Sequence, residues 1–185
     1  GRIMQYVYLD NAATTFPKPP GVSYAMKRCM DGWCGNPGRG AHPLSSKSAE
    51  AVYGVREQIA AMFGSGHPEN VVFTANATGA LNIAIKSLVP RGHVLISDIE
   101  HNAVVRPVFA SGLRYSIFNA FAPTEEMLFD ISSHFGKDTR AVIANAGSNI
   151  CGAALPLAEI GRLCREHGIF FIVDASQYAG THEIG

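Results

Sequence analysis

The sequence lacks an excess of charge of either sign, and it lacks a long apolar run. Fifteen basic and fifteen acidic side chains cancel in a chain of 185 residues, so nothing indicates nucleic acid or an anionic membrane surface as a partner. The longest apolar stretches, such as GIFFIV, are far too short to span a bilayer. The first residues contain no long apolar core of the kind found in signal peptides. We therefore expect a cytoplasmic protein without a membrane partner.

Cysteine pairs and nucleotide-binding motifs are also missing. Cys29, Cys34, Cys151 and Cys164 form neither a C-x-x-C motif nor a small disulfide scaffold, so reduced thiols are expected. No second cysteine pair or histidine pair lies at ligand spacing, so no metal site is expected. No G-x-G-x-x-G follows a predicted strand and no G-x-x-x-x-G-K-[ST] is present, so the signatures of dinucleotide and Walker-type sites are absent.

What the sequence does contain is an alternation of short apolar runs and helical segments. Residues 1–64 predict an N-terminal arm with two helices, the second capped by Ser45 or Ser46. From residue 65 the alternation predicts an α/β domain, with a mainly parallel sheet covered by helices on both faces. The predicted strands are 5–10, 71–74, 93–97, 113–118, 140–145 and 169–174, and the predicted helices are 22–33, 44–63, 78–88, 102–110, 125–135 and 157–167.

The loops that follow the predicted strands are the candidate site. In a parallel sheet, ligands bind beyond the carboxyl ends of the strands. Five loops should therefore converge on one crevice. They are Asp10–Thr15, Ala75–Thr78, Asp98–His101, Asn145–Asn149 and Asp174–Gln177.

Two of these loops lead into predicted helices. Ala77 and Thr78 fall at a helix start, where free backbone N–H groups and the helix dipole favour an anion such as a phosphate. An ordinary Thr helix cap is the alternative explanation. His101 precedes the next helix, where it can stack on an aromatic ligand, move protons or simply cap the helix.

Two further polar residues follow predicted strands directly. Asn149 can hydrogen-bond a ligand hydroxyl or hold its own loop together. Asp174 ends a buried apolar run, where a carboxylate is costly unless a cation or a donor meets it. A protonated pyridine nitrogen meets that requirement and indicates an electron-sink cofactor. A helix-capping Asp is the alternative.

Taken in order, these motifs resemble one family. The segments YLDNAATT, GNPGRGAH, VVFTANATGALNIAIKSL, EHNAVVRP, GSNICG with PLAEIG, and HGIFFIVDASQYAG are similar to the class V aminotransferase-like, pyridoxal-phosphate enzymes of fold type I. They cover essentially the whole chain in family order. FPKP with NPGRGAH is most similar to the cysteine desulfurase and selenocysteine lyase-like branch. The resemblance implies that residues 65–185 are the first part of the cofactor-binding large domain.

The resemblance implies pyridoxal 5′-phosphate as cofactor and gives five residues a role toward it. Ala77 and Thr78 match the residues that hold the phosphate. His101 matches the histidine stacked on the ring, which can also carry protons in catalysis. Asp174 matches the acid that pairs with the ring nitrogen, and Gln177 matches the residue that hydrogen-bonds the ring hydroxyl.

The substrate pocket is implied by three residues. Asn149 matches the asparagine near the ring hydroxyl and the substrate, and Ala12 and Ala13 match a loop that lines the pocket. Some positions depart from the family. Residues 76–79 are Asn-Ala-Thr-Gly where Gly-Ala-Thr-Glu is frequent, and Cys151 stands where Thr is common. These changes alter the cofactor loops without removing their donors.

The larger departure is the family's Schiff-base lysine, which lies beyond the DASQ motif in a segment such as Ser-x-His-Lys. This sequence does not contain that segment, nor the sulfur-accepting cysteine loop or the small domain. Lys18, Lys27, Lys47, Lys86 and Lys137 all lie outside it. We therefore expect the N-terminal part of a cysteine desulfurase-like enzyme, incomplete and inactive as this chain alone.

The implied reaction converts L-cysteine to L-alanine and transfers the sulfur to a protein thiol. Another class V enzyme, such as an aminotransferase, epimerase or selenocysteine lyase, is an alternative with the same cofactor loops. The third interpretation is a non-catalytic fragment that pairs with a separate C-terminal half. Whole members of the family are typically homodimers, so a homodimer or such a complementing half is the implied protein partner.

Overall fold

The computed structural model describes residues 7–182, and the chain separates into two compact units, Gly1–Val72 and Phe73–Gly185. The boundary predicted after residue 64 stays a prediction. Of the strand predicted over residues 5–10, Gln5 and Tyr6 lie outside the described residues, and residues 7–10 form no strand.

The first unit contains the two predicted helices, α1 (Pro20–Gly32) and α2 (Pro43–Met62), followed by a 3-10 turn at Pro68–Asn70. The predicted cap of α2 is wrong. Pro43 occupies the first helical position, and the side chain of His42 accepts a hydrogen bond from the Ser45 backbone N–H at 3.3 Å. Ser45 therefore lies within the first turn, where its hydroxyl donates to the Asn36 carbonyl at 2.7 Å.

The second unit confirms the predicted α/β alternation. The four strands among its described residues are all parallel and lie in the order β2-β1-β3-β4. No helix in the described part of the chain is both long and apolar enough to cross a membrane. The elements are α3 (Ala77–Leu88), β1 (His93–Ser97), α4 (Asn102–Ala110), β2 (Arg114–Phe118), α5 (Thr124–Ser133), β3 (Thr139–Asn145), α6 (Leu157–Glu166) and β4 (Phe170–Asp174).

Apolar clusters cover both faces of this sheet. Because side chains alternate along a strand, Val94 and Ile96 of β1 pack in the cluster that includes residues of α3 and α4, whereas Leu95 packs in the cluster that includes residues of α5 and α6. All five residues of β1 are buried. This two-sided burial confirms the predicted layered arrangement and leaves the ends of the strands as the polar edges of the sheet.

The strand predicted over Val71–Thr74 is wrong. These four residues have no regular secondary structure, and Val72 is 72% exposed. Apolar, β-branched residues favour a strand only where a neighbouring strand completes the hydrogen-bond ladder. No strand among the described residues pairs with this segment.

Candidate functional site

The carboxyl ends of the parallel strands place three polar side chains at one edge of the sheet. Ser97 ends β1, Asn145 ends β3 and Asp174 ends β4, and all three are buried. Asn145 and Asp174 are register partners in the β3–β4 ladder, which continues with a hydrogen bond from the Ala146 N–H to the Asp174 carbonyl at 2.9 Å. The predicted loops 145–149 and 174–177 therefore do meet at this edge.

Asp174 presents a fixed, buried carboxylate. It is 6% exposed, and its Oδ1 accepts hydrogen bonds from the Ser176 N–H at 3.1 Å and the Ser176 hydroxyl at 2.5 Å. The residues that follow form turns, in which the Tyr178 N–H bonds the Ala175 carbonyl at 3.0 Å. The helix-capping alternative for Asp174 is therefore wrong for the described residues, because the side chain orders a turn.

Glu100 is the site residue to which sequence reasoning gave no role. Its Oε1 accepts hydrogen bonds from the Ser97 hydroxyl and from the Asn145 N–H, the latter at 2.7 Å. Burial raises the pKa of Glu100 to about 7 and the nearby Asp174 adds to that rise, whereas hydrogen bonding from the Ser97 hydroxyl, the Asn145 N–H and the Ser97 backbone opposes it. The available signal was an acid three residues after the end of a mostly apolar strand, which sequence reasoning treated as part of a loop.

The start of α3 leaves two backbone donors available. Asn76 caps the helix, since its side-chain oxygen accepts from the Gly79 N–H at 2.8 Å. The Thr78 cap considered from sequence is therefore wrong, because the residue with an extended backbone and a capping side chain is Asn76. The N–H groups of Ala77 and Thr78 have no acceptor among residues 7–182. They are the donors that a helix N-terminus offers to an anion.

His101 caps α4 and also lines a cavity. Its Nδ1 accepts a hydrogen bond from the Ala103 N–H at 3.1 Å, so the neutral ring carries its proton on Nε2. A cavity of about 270 Å³ is lined by His101, Thr78, Asn82 and Arg106, among others. The structure thus brings His101 and Thr78 to one cavity and confirms the capping alternative, which leaves the ring free to contact a ligand.

Asn149 and Gln177 lie in turns at the same end of the unit. Asn149 is exposed, and its loop is held by Ser148, whose hydroxyl accepts from the Ile150 and Cys151 N–H groups at 3.3 and 3.4 Å. Ser148, rather than Asn149, therefore provides these side-chain hydrogen bonds within the loop. Gln177 lies three residues after Asp174 and is partly buried.

Ala12 and Ala13 lie in the first unit, in an exposed turn where the Ala13 N–H bonds the Asp10 carbonyl at 3.2 Å. Their predicted role in a substrate pocket stays a prediction, as does the convergence of Asp10–Thr15 with the other loops. Among residues 7–182 there is no group of three or more His, Cys, Asp or Glu side chains that could hold a metal.

The sequence profile of the family described as Aminotransferase class-V matches residues 7–185. Among curated relatives, the cysteine desulfurase IscS of Proteus mirabilis is 34% identical over 187 residues, and that of Pseudomonas aeruginosa is 35% identical over 191 residues. These matches cover 94% and 96% of this chain but 45% and 46% of the relatives. The chain therefore spans just under half the length of these relatives.

Solved structures show the same partial match. A structure described as SspA in complex with cysteine is 29% identical, with a TM-score of 0.80 over 92% of this chain and 51% of the other. A NifS-like protein from Rickettsia africae is 25% identical, with a TM-score of 0.82 over 98% of this chain and 51% of the other. The two-sided α/β fold of the second unit is thus shared with larger proteins.

Proposed function

Because the chain belongs to the class-V aminotransferase family, we propose that its second unit forms part of a pyridoxal 5′-phosphate site in a cysteine desulfurase-like enzyme. The observation that carries the proposal is the buried, preorganised carboxylate of Asp174 at the carboxyl edge of the sheet. A carboxylate in that position stabilises a protonated pyridine nitrogen, which is the form of the ring that withdraws electrons.

The start of α3 and the side chain of His101 fit the phosphate and the ring of the cofactor. The N–H groups of Ala77 and Thr78, at the start of a 12-residue helix, are suited to a phosphate. Asn76 already satisfies the Gly79 N–H, so the two donors are left for the anion. Thr78 and His101 line one cavity, and we assign the ring of the histidine to stacking on the cofactor ring.

When bound, the group supplies an electron sink for the bond that breaks at the substrate Cα. The residues of this chain supply positioning and proton handling. Asp174 keeps a negative charge at the ring nitrogen, while His101 holds a proton at Nε2 because its Nδ1 is fixed by the Ala103 N–H. We assign Gln177 and Asn149 to the ring hydroxyl, and Asn149 with Ala12 and Ala13 to the substrate.

The proposed substrate is a cysteine-like amino acid, and the proposed reaction releases L-alanine while sulfur passes to a protein thiol. Curated relatives named cysteine desulfurase and the cysteine-bound SspA structure support this choice. We extend the proposal to a cytoplasmic homodimer with a role in sulfur metabolism. An aminotransferase, epimerase or selenocysteine lyase of the same family, or a fragment that pairs with a separate C-terminal half, is the alternative.

The two lysines of the second unit lie away from the proposed cofactor site. Lys86 lies in the last turn of α3, about 13 Å along the helix axis from Ala77. Lys137 precedes β3 and therefore lies toward the amino edge of the sheet, opposite Asp174. Neither side chain is placed to link the proposed cofactor, so we expect the second unit alone to bind it without a covalent bond and without turnover.

Substitution of Asn76 tests the phosphate end of the site. Asn76→Ser keeps a neutral cap, whereas Asn76→Asp keeps the cap but puts a carboxylate beside the phosphate. We expect Asn76→Ser to bind pyridoxal 5′-phosphate like the wild type in a fluorescence titration. We expect Asn76→Asp to bind it roughly fivefold or more weakly while unfolding at the same denaturant concentration, since one like charge nearby costs about 1 kcal/mol or more.

Equal affinity of the two variants would place the phosphate elsewhere and contradict the proposal. The reaction class is tested separately, by assaying the whole protein that contains this chain against cysteine, selenocysteine and amino donors. Alanine and sulfide release from cysteine supports the desulfurase assignment. Amino-group transfer without sulfide release contradicts it and favours the aminotransferase alternative.

A further inference from the structure

The carboxyl of Glu100 is built into the edge of the sheet on which Asp174 lies. Its Oε1 takes one hydrogen bond from the side chain at the end of β1, Ser97, and one from the backbone at the end of β3, Asn145. The side-chain amide of Asn145 donates a weak hydrogen bond to the Ile99 carbonyl at 3.5 Å. These hydrogen bonds connect the turn after β1 to β3, the strand that pairs with β4.

The second oxygen of this carboxyl has no such partner. Glu100 Oε2 is buried and has no hydrogen-bond partner among residues 7–182. A buried carboxylate oxygen without a donor is costly in the charged form and much less so in the protonated form. The geometry by itself therefore favours a proton on Glu100.

The charged neighbour adds to that preference. Asp174 on β4 faces Glu100 with a like charge, while Ser97 on β1 and Asn145 on β3 are neutral. At the start of α4, His101 directs its Nδ1 to the Ala103 N–H. Asp98 is exposed, and its Oδ1 accepts from the Ala120 N–H at 2.9 Å.

We propose that Glu100 is a positioning residue that keeps its proton at mildly acidic pH and loses it only in the neutral range, so that below this range the Glu100–Asp174 pair carries one negative charge and that charge lies on Asp174. The relevance of this charge rests on the proposed function, in which Asp174 meets a protonated ring nitrogen. Glu100 acts through Asp174 and the strand ends, and contacts no reacting atom. Burial and the Asp174 charge raise the pKa of Glu100 to about 7, in agreement with the geometry.

The protonation is tested by carbon-detected NMR of the 185-residue chain labelled at its Glu and Asp carboxyl groups. We expect one Glu resonance to titrate near pH 7, to be missing in Glu100→Gln, and to titrate at lower pH in Asp174→Asn. A Glu100 resonance that titrates near its ordinary value of 4.5, or that ignores Asp174→Asn, overturns the inference.

The positioning role has its own measurement. Glu100→Gln keeps an oxygen that accepts from Ser97 and Asn145, whereas Glu100→Ala removes the acceptor. We expect the Asn145 amide hydrogen to exchange with solvent at the wild-type rate in Glu100→Gln and roughly tenfold or more faster in Glu100→Ala. Equal exchange rates in Glu100→Ala and the wild type contradict the positioning role.

A titration with pyridoxal 5′-phosphate separates this inference from the proposed function. A ring nitrogen proton against Asp174 neutralises the like charge, so the midpoint of Glu100 should fall when the group binds. If Glu100 titrates near pH 7 in the free chain but ignores added pyridoxal 5′-phosphate, the carboxyl pair is confirmed and the proposed placement of the ring is wrong. If Glu100 titrates near 4.5 while pyridoxal 5′-phosphate binds, the inference about the carboxyl pair is wrong and the proposed function is supported.

Discussion

The carboxyl of Glu100 accepts a hydrogen bond from the backbone N–H of Asn145 at 2.7 Å, across 45 positions of sequence. Asn145 in turn is the register partner of Asp174 on the neighbouring strand. The turn after β1 and the ends of β3 and β4 are therefore one connected polar edge. The acid proposed to meet the ring nitrogen is held by this edge as well as by its own turn.

The raised pKa of Glu100 predicts a pH dependence of stability. The folded-state pKa of about 7 lies above the ordinary value of 4.5, so the folded state keeps a proton that the unfolded state has lost. Stability should therefore fall as pH rises from 4.5 through 7 and then level off. We expect Glu100→Gln to match the wild type near pH 4.5 and to exceed its free energy of unfolding by about 2–3 kcal/mol at pH 8.

Urea unfolding of both proteins at several pH values measures this difference. The two free energies of unfolding should diverge as pH rises between 4.5 and 7. Curves that stay parallel over that range would show that Glu100 titrates equally in the folded and unfolded states.

The fold was predictable from sequence because periodicity and burial agree for most elements. The apolar run at residues 93–97 and the helix at 102–110 were predicted with the bounds that the structure shows. The strand prediction for Val71–Thr74 failed because its apolar residues match a strand locally while no described strand pairs with it. Whether a strand forms depends on a ladder partner, which a local pattern does not contain.

The site was only partly predictable, for a similar reason. Asp174 ends an apolar run, so the sequence itself marks it as unusual. The role of Glu100 depends on donors from Ser97 and Asn145, and one of these is 45 residues away. The true caps, His42 and Asn76, were missed because a cap is defined by where the first helical turn begins, which sequence locates only to within a few residues.

The core of the second unit predicts a large effect for a single truncation. Ile143 of β3 is fully buried between β1 and β4, so Ile143→Ala should lower the free energy of unfolding by about 2–5 kcal/mol. Ile150, which is 88% exposed in the following loop, provides the matched control. Ile150→Ala should change stability by less than about 0.5 kcal/mol, and equal losses would contradict the assignment of the core.

The thiols should differ in reactivity. Hydrogen bonding with Ser148 and with the backbone at Ala153 lowers the pKa of the exposed Cys151, whereas burial raises the pKa of Cys164 to about 11. Because the thiolate is the reactive form, iodoacetamide at neutral pH should modify Cys151 before Cys164. Peptide mass spectrometry over time measures the order, and Ser148→Ala should slow Cys151 specifically. Earlier modification of Cys164 would show that α6 opens in solution.

The position of the lysines predicts a non-covalent cofactor complex. Borohydride treatment of the chain with pyridoxal 5′-phosphate should modify neither Lys86 nor Lys137 in proportion to bound cofactor, because both lie away from the carboxyl edge. Mass spectrometry of the reduced protein provides the measurement. Either lysine labelled stoichiometrically, and protected by excess pyridoxine 5′-phosphate, would contradict this geometry.

If Asp174 forms the ring-nitrogen contact of a pyridoxal 5′-phosphate site, the affinity of the chain for that group depends on the Asp174 carboxylate. Asp174→Asn should weaken binding by roughly 10- to 100-fold, since a charge-assisted hydrogen bond is lost. Asp98→Asn makes the same charge change at an exposed residue just after β1 and keeps an oxygen for the Ala120 N–H. We expect near wild-type affinity for Asp98→Asn, and equal affinities for the wild type and Asp174→Asn would show that the ring nitrogen does not meet Asp174.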